Sequence, residues 1–514
     1  MDSEQVSHIA VESTVPPIRS IDRRFVTAAL MLVMVLSSME MTVTSTAMPT
    51  IIGELHGLEH YSWVASLYLL TCTVSMPLYG RLSDALGRKR VVLSAIALFT
   101  IASLLASTAQ TMIQLVIYRG LQGLGAGGIM PVVLTILGDI FTLEERAKIQ
   151  ALFSAVWGTA SLAGPWLGAT LVVSLGWRSI FWINLPFAVI AAIVLMWKYH
   201  DQERPHSTHL DLAGFATLAI GATSLLALVS RLGPGGWSWG FSIALFLISI
   251  SAGAYYLVHE RRETHPILPM NLVFSRTIGP CVIGSMLHGA GFLSLDTYVP
   301  LFVQGGQGGG ATAAAGVVTP VMLTWAISGI FSAQMVVRLG FRKTAMIGSA
   351  IIVTGFSGLF LCAFLGLPRW VMTSVLAFTG LGLGPSSMSY LLAAQNAVAW
   401  QQRGVATGAI QFFRTIGGAV GIGVLGALFN VLVRSDFARL EAQGIKPATL
   451  LDPHARMSIA PDTLQSAQHV IATSLTWVFA TMVGIAIVQF VVTTMMSPAK
   501  PEKVDSTDAF EAAV

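Results

Sequence analysis

The sequence predicts an all-α integral membrane protein with fourteen spanning helices. Three observations carry that prediction. Of 514 residues, 54% are apolar and only 11% charged, against about 25% charged in soluble domains. The apolar residues fall into fourteen runs, each near the roughly 20 residues that a helix needs to cross hydrocarbon. The basic residues crowd the loops on one side of that arrangement, as the rule for cytoplasmic loops demands.

In order, the runs cover about residues 25–48, 61–80, 91–110, 112–138, 149–174, 180–198, 210–231, 239–258, 277–303, 312–337, 343–364, 369–392, 406–432 and 469–496. The first follows a segment containing Asp2, Glu4, Glu12 and Asp22. It is longer than a signal-peptide core, so it reads as a retained span. An even number of spans puts both termini on one side. Of 29 Lys and Arg, 20 fall in the termini and loops assigned to the cytoplasm, seven outside, and two, Arg119 and Arg414, inside spans. A net charge of +4 distributed this way orients a membrane protein and excludes a nucleic-acid patch. Cys72, Cys281 and Cys362 lie within apolar runs and read as packing residues.

Residues 1–24 and 498–514 are then cytoplasmic segments. Residues 25–198 and 277–497 form two six-helix bundles, the second with an external loop at 433–468, and 199–276 carry two inserted helices with their linkers. A weak repeat supports the division: Ala85-Leu86-Gly87-Arg88-Lys89-Arg90 recurs as Arg338-Leu339-Gly340-Phe341-Arg342-Lys343. Each loop follows the second helix of its bundle, a plan known in transporters.

The polar island Gly80-Arg81-Leu82-Ser83-Asp84-Ala85-Leu86-Gly87-Arg88-Lys89-Arg90 resembles the loop between helices 2 and 3 that is the signature of the major facilitator superfamily. The resemblance implies the fold of that superfamily: two six-helix bundles, here with two inserted helices. It also implies that Asp84 caps a helix end and pairs with basic residues as a latch, with Gly80, Arg81, Gly87 and Arg88 completing the motif. Charge alone accounts for Lys89 and Arg90 as orienting residues.

Helix 4 carries Arg119-Gly120-Leu121-Gln122-Gly123-Leu124-Gly125-Ala126-Gly127-Gly128. A dinucleotide fingerprint requires a strand before its glycines, and this run lies within one apolar stretch. It is similar instead to the superfamily's helix 4 motif, in which the Arg is tied to proton transfer. Helix 5 contains Gly158, Gly164, Pro165 and Gly168, with the spacing of the antiporter motif and Ala169 where a second Gly is usual. The stretch Gly176-Trp177-Arg178-Ser179-Ile180-Phe181-Trp182-Ile183-Asn184-Leu185-Pro186 resembles the signature before helix 6 of the fourteen-helix drug/proton antiporter branch. Taken by itself, Trp177 reads as an interfacial anchor.

Two carboxylates stand inside spans in this reading. Glu40 occupies the position where the branch's helix 1 motif usually has Asp. Burial favours the uncharged form of a carboxylate, which suits a proton carrier. Asp296, in helix 9, is the natural partner for a cationic substrate, and Trp157 and Tyr298 join Glu40 and Asp296 as expected substrate-site residues. His288 and Arg414 read as residues that pack and fix their helices. The glycine-rich stretch at 304–310 lacks the Lys-Ser/Thr of a phosphate loop.

With no nucleotide-binding, zinc-spacing or nucleophile motif, the sequence predicts no enzyme, no metal and no cofactor beyond a proton gradient. The expected activity is proton-coupled export of hydrophobic, cationic or amphipathic small molecules such as drugs. The chain would act as a monomer in the cell membrane, with both termini cytoplasmic and lipid, cargo and protons as its partners. Two alternatives remain open. One is a dedicated exporter of a single metabolite, siderophore or peptide-like product. The other is a sensor or scaffold that transports nothing.

Overall fold

The computed structural model describes residues 23–55, 61–201, 211–230, 239–263, 266–441 and 460–498. The described residues form helices and no strand. Fourteen helices are long, the shortest having 15 residues. They are α1 Arg23–Leu55, α2 Tyr61–Leu86, α3 Arg88–Ser107, α4 Met112–Ile140, α5 Leu143–Leu175, α6 Asn184–Lys198, α7 Leu212–Ser230, α8 Trp239–Glu260, α9 Gly279–Leu301, α10 Ala311–Leu339, α11 Phe341–Phe364, α12 Arg369–Asn396, α13 Arg403–Glu441 and α14 Pro461–Thr494.

Among the described residues, eleven helices are long and apolar enough to cross a membrane. The fourteen spans expected from sequence are therefore not all matched. The three long helices not among the eleven are α2, α5 and α9; of α5, the stretch Trp166–Leu175 counts as a shorter apolar helix among the described residues. Helix ends also differ from the apolar runs. The segment read as an external loop at 433–468 is helical at both ends, because α13 continues to Glu441 and α14 begins at Pro461. Hydropathy marks where the chain leaves hydrocarbon, not where hydrogen bonding of the helix stops. Residues 442–459, with the terminal segments 1–22 and 499–514, lie outside the described residues.

Local sequence explains the sharper boundaries. Thr142 and Glu145 form a capping box at the start of α5, each side chain accepting the other's backbone N–H. Single glycines turn the chain between α2 and α3 and between α10 and α11: Gly87 at φ 93° and Gly340 at φ 84°. Only glycine adopts such angles without strain. The two halves of the sequence repeat thus make the same one-residue turn.

Within the first half α2 packs on α4, α3 on α4, and α1 on α5 and α6. Within the second, α9 packs on α13, α12 on α10 and α11, and α14 on α11 and α9. The halves meet along two seams, α2 with α13 and α5 with α10. Of the inserted pair, α7 touches both α2 and α13 and so covers one seam, with Val229 against Gly423. Helix α8 packs on α7 and exposes Phe241, Phe246, Leu247, Ile250 and Val258, a surface suited to lipid. Asp211 joins the pair at its base, taking the Gly214 amide of α7 at 2.7 Å and His259 of α8 at 2.8 Å.

The apolar cores show where the halves join. At the end bearing the 80–90 loop a single cluster runs through both, from Leu30, Met76 and Phe99 to Tyr390 and Ile410. At the opposite end each half has its own cluster, around Trp177 and Phe181 in the first and around Phe356 and Phe479 in the second. The molecule is closed at the 80–90 end and divided at the other.

Candidate functional site

Three polar groupings lie along the interior, and the first belongs to the first half. Glu40 of α1 and Arg119 of α4 form an ion pair in which both side chains are almost wholly buried. The other Glu40 oxygen accepts from Asn184 Nδ2 of α6 at 2.8 Å, and Thr44 Oγ1 donates to the paired one at 3.2 Å. Arg119 also reaches Gln122 Oε1 at 2.6 Å and lies 4.3 Å from the ring centre of Tyr68 on α2. Ser103 of α3 closes the network, accepting from Asn184 at 2.9 Å and Gln122 at 3.2 Å and donating to the Phe181 carbonyl at 3.1 Å. Five helices therefore hold one carboxylate. Removing a single partner from such a buried pair leaves an uncompensated charge.

The glycines of α4 let its neighbours come close. A Cβ on Gly123 or Gly127 would enter α2 at the Tyr68 and Cys72 carbonyls, and one on Gly125 would meet the Phe99 backbone of α3. They are packing residues, as their position inside an apolar run requires. Gly164 of α5 makes the same kind of contact with Thr42, two residues beyond Glu40, so the helix 5 motif supports the α1 segment carrying the carboxylate. Gly168 is buried on α5; the surroundings of Trp157, Gly158 and Pro165 lie outside the described residues.

The second grouping is at the closed end. Asp84 accepts the backbone N–H groups of Gly404, at 3.1 Å, and Val405, at 2.8 Å. These are orphan donors at the start of α13, where an anion is favoured by the helix dipole. Arg88 lies 3.5 Å from Asp84, donates to the Trp400 carbonyl at 3.1 Å and stacks over the Trp400 ring at 4.5 Å. It also pairs with Asp139 at the end of α4 at 2.6 Å, and Arg403 reaches the Gly138 carbonyl at 3.1 Å. Gly80 sits directly against Gly404, where a Cβ would strike the carbonyl 2.6 Å away. Arg81 is half-buried, and its Nε has no hydrogen-bond partner among the described residues.

The third grouping is a cavity of about 60 Å³ in the second half, lined by Ser285, Trp325, Ser387, Met388, Gln411 and Arg414 among others. The neighbouring Thr415 faces Met76 of α2 across the halves at 4.0 Å. The cavity therefore lies at the floor of the divided end, above the common core.

Several sequence expectations take a different form here. Asp296 is exposed on α9, with no hydrogen bond or ion pair to any described residue, and does not join the Glu40 network. Tyr298 is buried and spends its hydroxyl on the Ile422 carbonyl, which makes it a link between α9 and α13. Trp177, expected as an interfacial anchor, is 1% exposed. Its Nε1 donates to Glu54 at 2.7 Å, and Arg178 pairs with the same carboxylate while stacking 4.3 Å above the indole. Glu54 is held below its ordinary range, first by the Arg178 hydrogen bond and then by that of Trp177. Arg414 makes no ion pair or hydrogen bond with any described residue, so it does not tether α13 through its charge.

Residues that the sequence did not single out complete these groupings. Ser103 is a neutral polar residue in an apolar run, with intramembrane polarity as its only signal; Gln122 and Asn184 lie within the helix 4 motif and the 176–186 signature but carried no role of their own. Asp139 sits at the boundary of a run. Gly404 and Val405 act through backbone amides, which carry no side-chain signature.

Two helical halves around a divided cleft, closed at one end by a cross-half cap, define a multi-pass membrane transporter. The profile of the Major Facilitator Superfamily matches residues 30–422, and the chain belongs to that superfamily. It is 36% identical over 409 residues to the multidrug transporter protein MdtP of Bacillus subtilis, covering 79% of this chain and 75% of that one. It is 29% identical over 474 residues to multidrug resistance protein 3 of the same organism, covering 89% and 91%. Among solved structures, that of the human organic anion transporter MFSD10 (TETRAN) aligns with a TM-score of 0.62 at 15% identity, covering 93% of this chain and all of that one. At that identity the likeness concerns the fold alone.

Proposed function

We propose that the protein is a proton-coupled antiporter that exports hydrophobic, amphipathic small molecules such as drugs. The observation that carries the reading is the buried Glu40–Arg119 pair, held by Asn184, Gln122, Ser103 and Thr44 within the bilayer-spanning part of the first half. A charge pair placed in hydrocarbon is expensive and marks a functional site. Protonating Glu40 removes its side of the pair and frees Arg119, so proton loading and rearrangement of α1 against α4 become one event. The multidrug names of the relatives support drug-like cargo.

Energy comes from the gradient: about 2.3 kcal/mol per charge per 100 mV, plus about 1.4 kcal/mol per pH unit. The halves rock about the α2–α13 and α5–α10 seams. The 80–90 end is cytoplasmic by the distribution of Lys and Arg, both termini lie on that side of the cell membrane, and the protomer is the working unit. The test is Glu40→Gln in everted vesicles. Substrate-induced proton release should be lost, and its persistence at the wild-type level sinks the assignment.

A further inference from the structure

We propose that the cavity beside Arg414 receives an anionic group of the cargo, a carboxylate, sulfonate or phosphate carried on an apolar body. The inference rests on the reading of the protein as an exporter of small molecules and specifies the charge of what it takes.

Four observations converge. Arg414 lies eleven residues into α13, and no described residue gives it an ion pair or a hydrogen bond, whereas Arg88, Arg119, Arg178, Arg369 and Arg403 all have such partners. A guanidinium at membrane depth is retained only where an anion or water meets it, and its planar fork matches carboxylate and phosphate geometry. The second observation is Gln411, one turn earlier on the same helix face. It is 3% exposed, lines the same cavity, and its Oε1 has no hydrogen-bond partner. Because the amide oxygen and nitrogen are interchangeable in place, a half-turn presents an N–H₂ donor to the same point.

Third, the cavity has the wrong size for a drug but the right one for a head group. Ligand pockets for whole drugs measure roughly 300–1,000 Å³, whereas this one holds about 60 Å³. Fourth, its wall is aromatic on one side: Trp325 packs 4.7 Å from Phe292, a surface for the apolar body. Among the described lining residues, Arg414 is the only charged side chain. The neighbouring titratable group is His288 of α9, which cannot serve as a counter-anion. The backbone of Arg414 is fixed separately, against Gly289, so the guanidinium is not needed to hold α13 in place.

The experiment uses the full chain, purified in lipid nanodiscs without any gradient. Two dyes on the same xanthene core serve as probes: fluorescein, an anion at neutral pH, and rhodamine 6G, a cation. Binding is read by fluorescence anisotropy. The expected result is that Arg414→Gln weakens fluorescein binding at least tenfold and changes rhodamine 6G less than twofold, while Arg414→Lys stays within about threefold of wild type for both. Gln411→Leu, which keeps the charge, should weaken fluorescein alone by a few-fold and stands in if Arg414→Gln does not fold. Wild-type protein that fails to bind fluorescein, or an Arg414→Gln protein that loses both dyes equally or neither, overturns the proposal. Uptake of the same dyes into everted vesicles separates the two readings. Arg414-dependent anion binding without any uptake sinks the exporter, and proton-coupled uptake indifferent to Arg414 sinks only the anion site.

Discussion

The carboxylate of Asp84 accepts the backbone N–H of Gly404 at 3.1 Å, so a residue of the first half caps a helix of the second. Separating the halves at that end exposes the start of α13 and leaves its amides without their acceptor.

Asp84→Asn keeps one acceptor oxygen and loses the charge. A capping acceptor contributes about 0.5–2 kcal/mol and its charge at a helix start about 0.3–1 kcal/mol. The closed-to-open ratio should fall by roughly fourfold to a hundredfold at about 1.4 kcal/mol per decade. Spin-label distances across the 80–90 end read this directly. Transport should fall more than for any single change at 338–343.

Gly404→Ala acts on the same contact by bulk. Its Cβ would lie 2.5 Å from the Gly80 carbonyl and 2.7 Å from Asp84 Oδ1, and both are held in place. The 80–90 end should open, raising labelling of a cysteine placed there, with transport reduced at least tenfold. Normal closure would show that the two helices part more easily than their packing indicates.

For the Glu40–Arg119 pair, thermal unfolding separates structure from function. Glu40→Gln leaves a buried guanidinium without its counter-charge, at a cost of about 3–5 kcal/mol. The double variant Glu40→Gln/Arg119→Gln removes both charges and should recover most of that stability. It should not recover proton-coupled transport. A double variant that transports with proton release refutes the role of the pair.

At the divided end, Glu54 gives a pH signature. Its folded-state value lies below the ordinary 4.5, so its contribution to stability is fully present above about pH 4.5 and is lost as pH falls through the lower, folded value. The difference in melting temperature between wild type and Glu54→Gln should be constant from pH 5 to 8 and shrink below pH 4.5. A difference that grows on acidification contradicts the pairing with Arg178 and Trp177.

Sequence reading reached the two halves, the loop repeat and the intramembrane charges because each leaves a one-dimensional trace: apolar run length, a recurring Leu-Gly turn, a carboxylate in a hydrophobic stretch. It placed Glu40 and Arg119 in one mechanism, and the structure puts them in one ion pair. It expected Asp84 to cap a helix end but not that the cap falls on Gly404 and Val405 of α13, since any residue supplies an amide. Ser103 and Asn184 were opaque for a related reason: neutral hydroxyl and amide groups look alike in a helix until their neighbours are known. Asp296 and Arg414 were ambiguous on similar grounds: Asp296 is exposed, Arg414 has no ion pair or hydrogen bond with any described residue, and neither property is written in local sequence. Trp177 misled because an aromatic at an apolar boundary is compatible both with lipid contact and with burial beneath a carboxylate partner, here the exposed Glu54.

Helix α7 lies over α2 and α13 and closes that seam from outside, with Val229 seated on Gly423; among the described residues, no inserted helix packs over both α5 and α10. A hydrophobic molecule dissolved in the bilayer therefore meets two unequal flanks. On one it faces a third helix before the interior, and on the other only a single layer. The inserted pair thus makes the two flanks of a two-fold scaffold unequal, one backed by a third helix and the other, among the described residues, not.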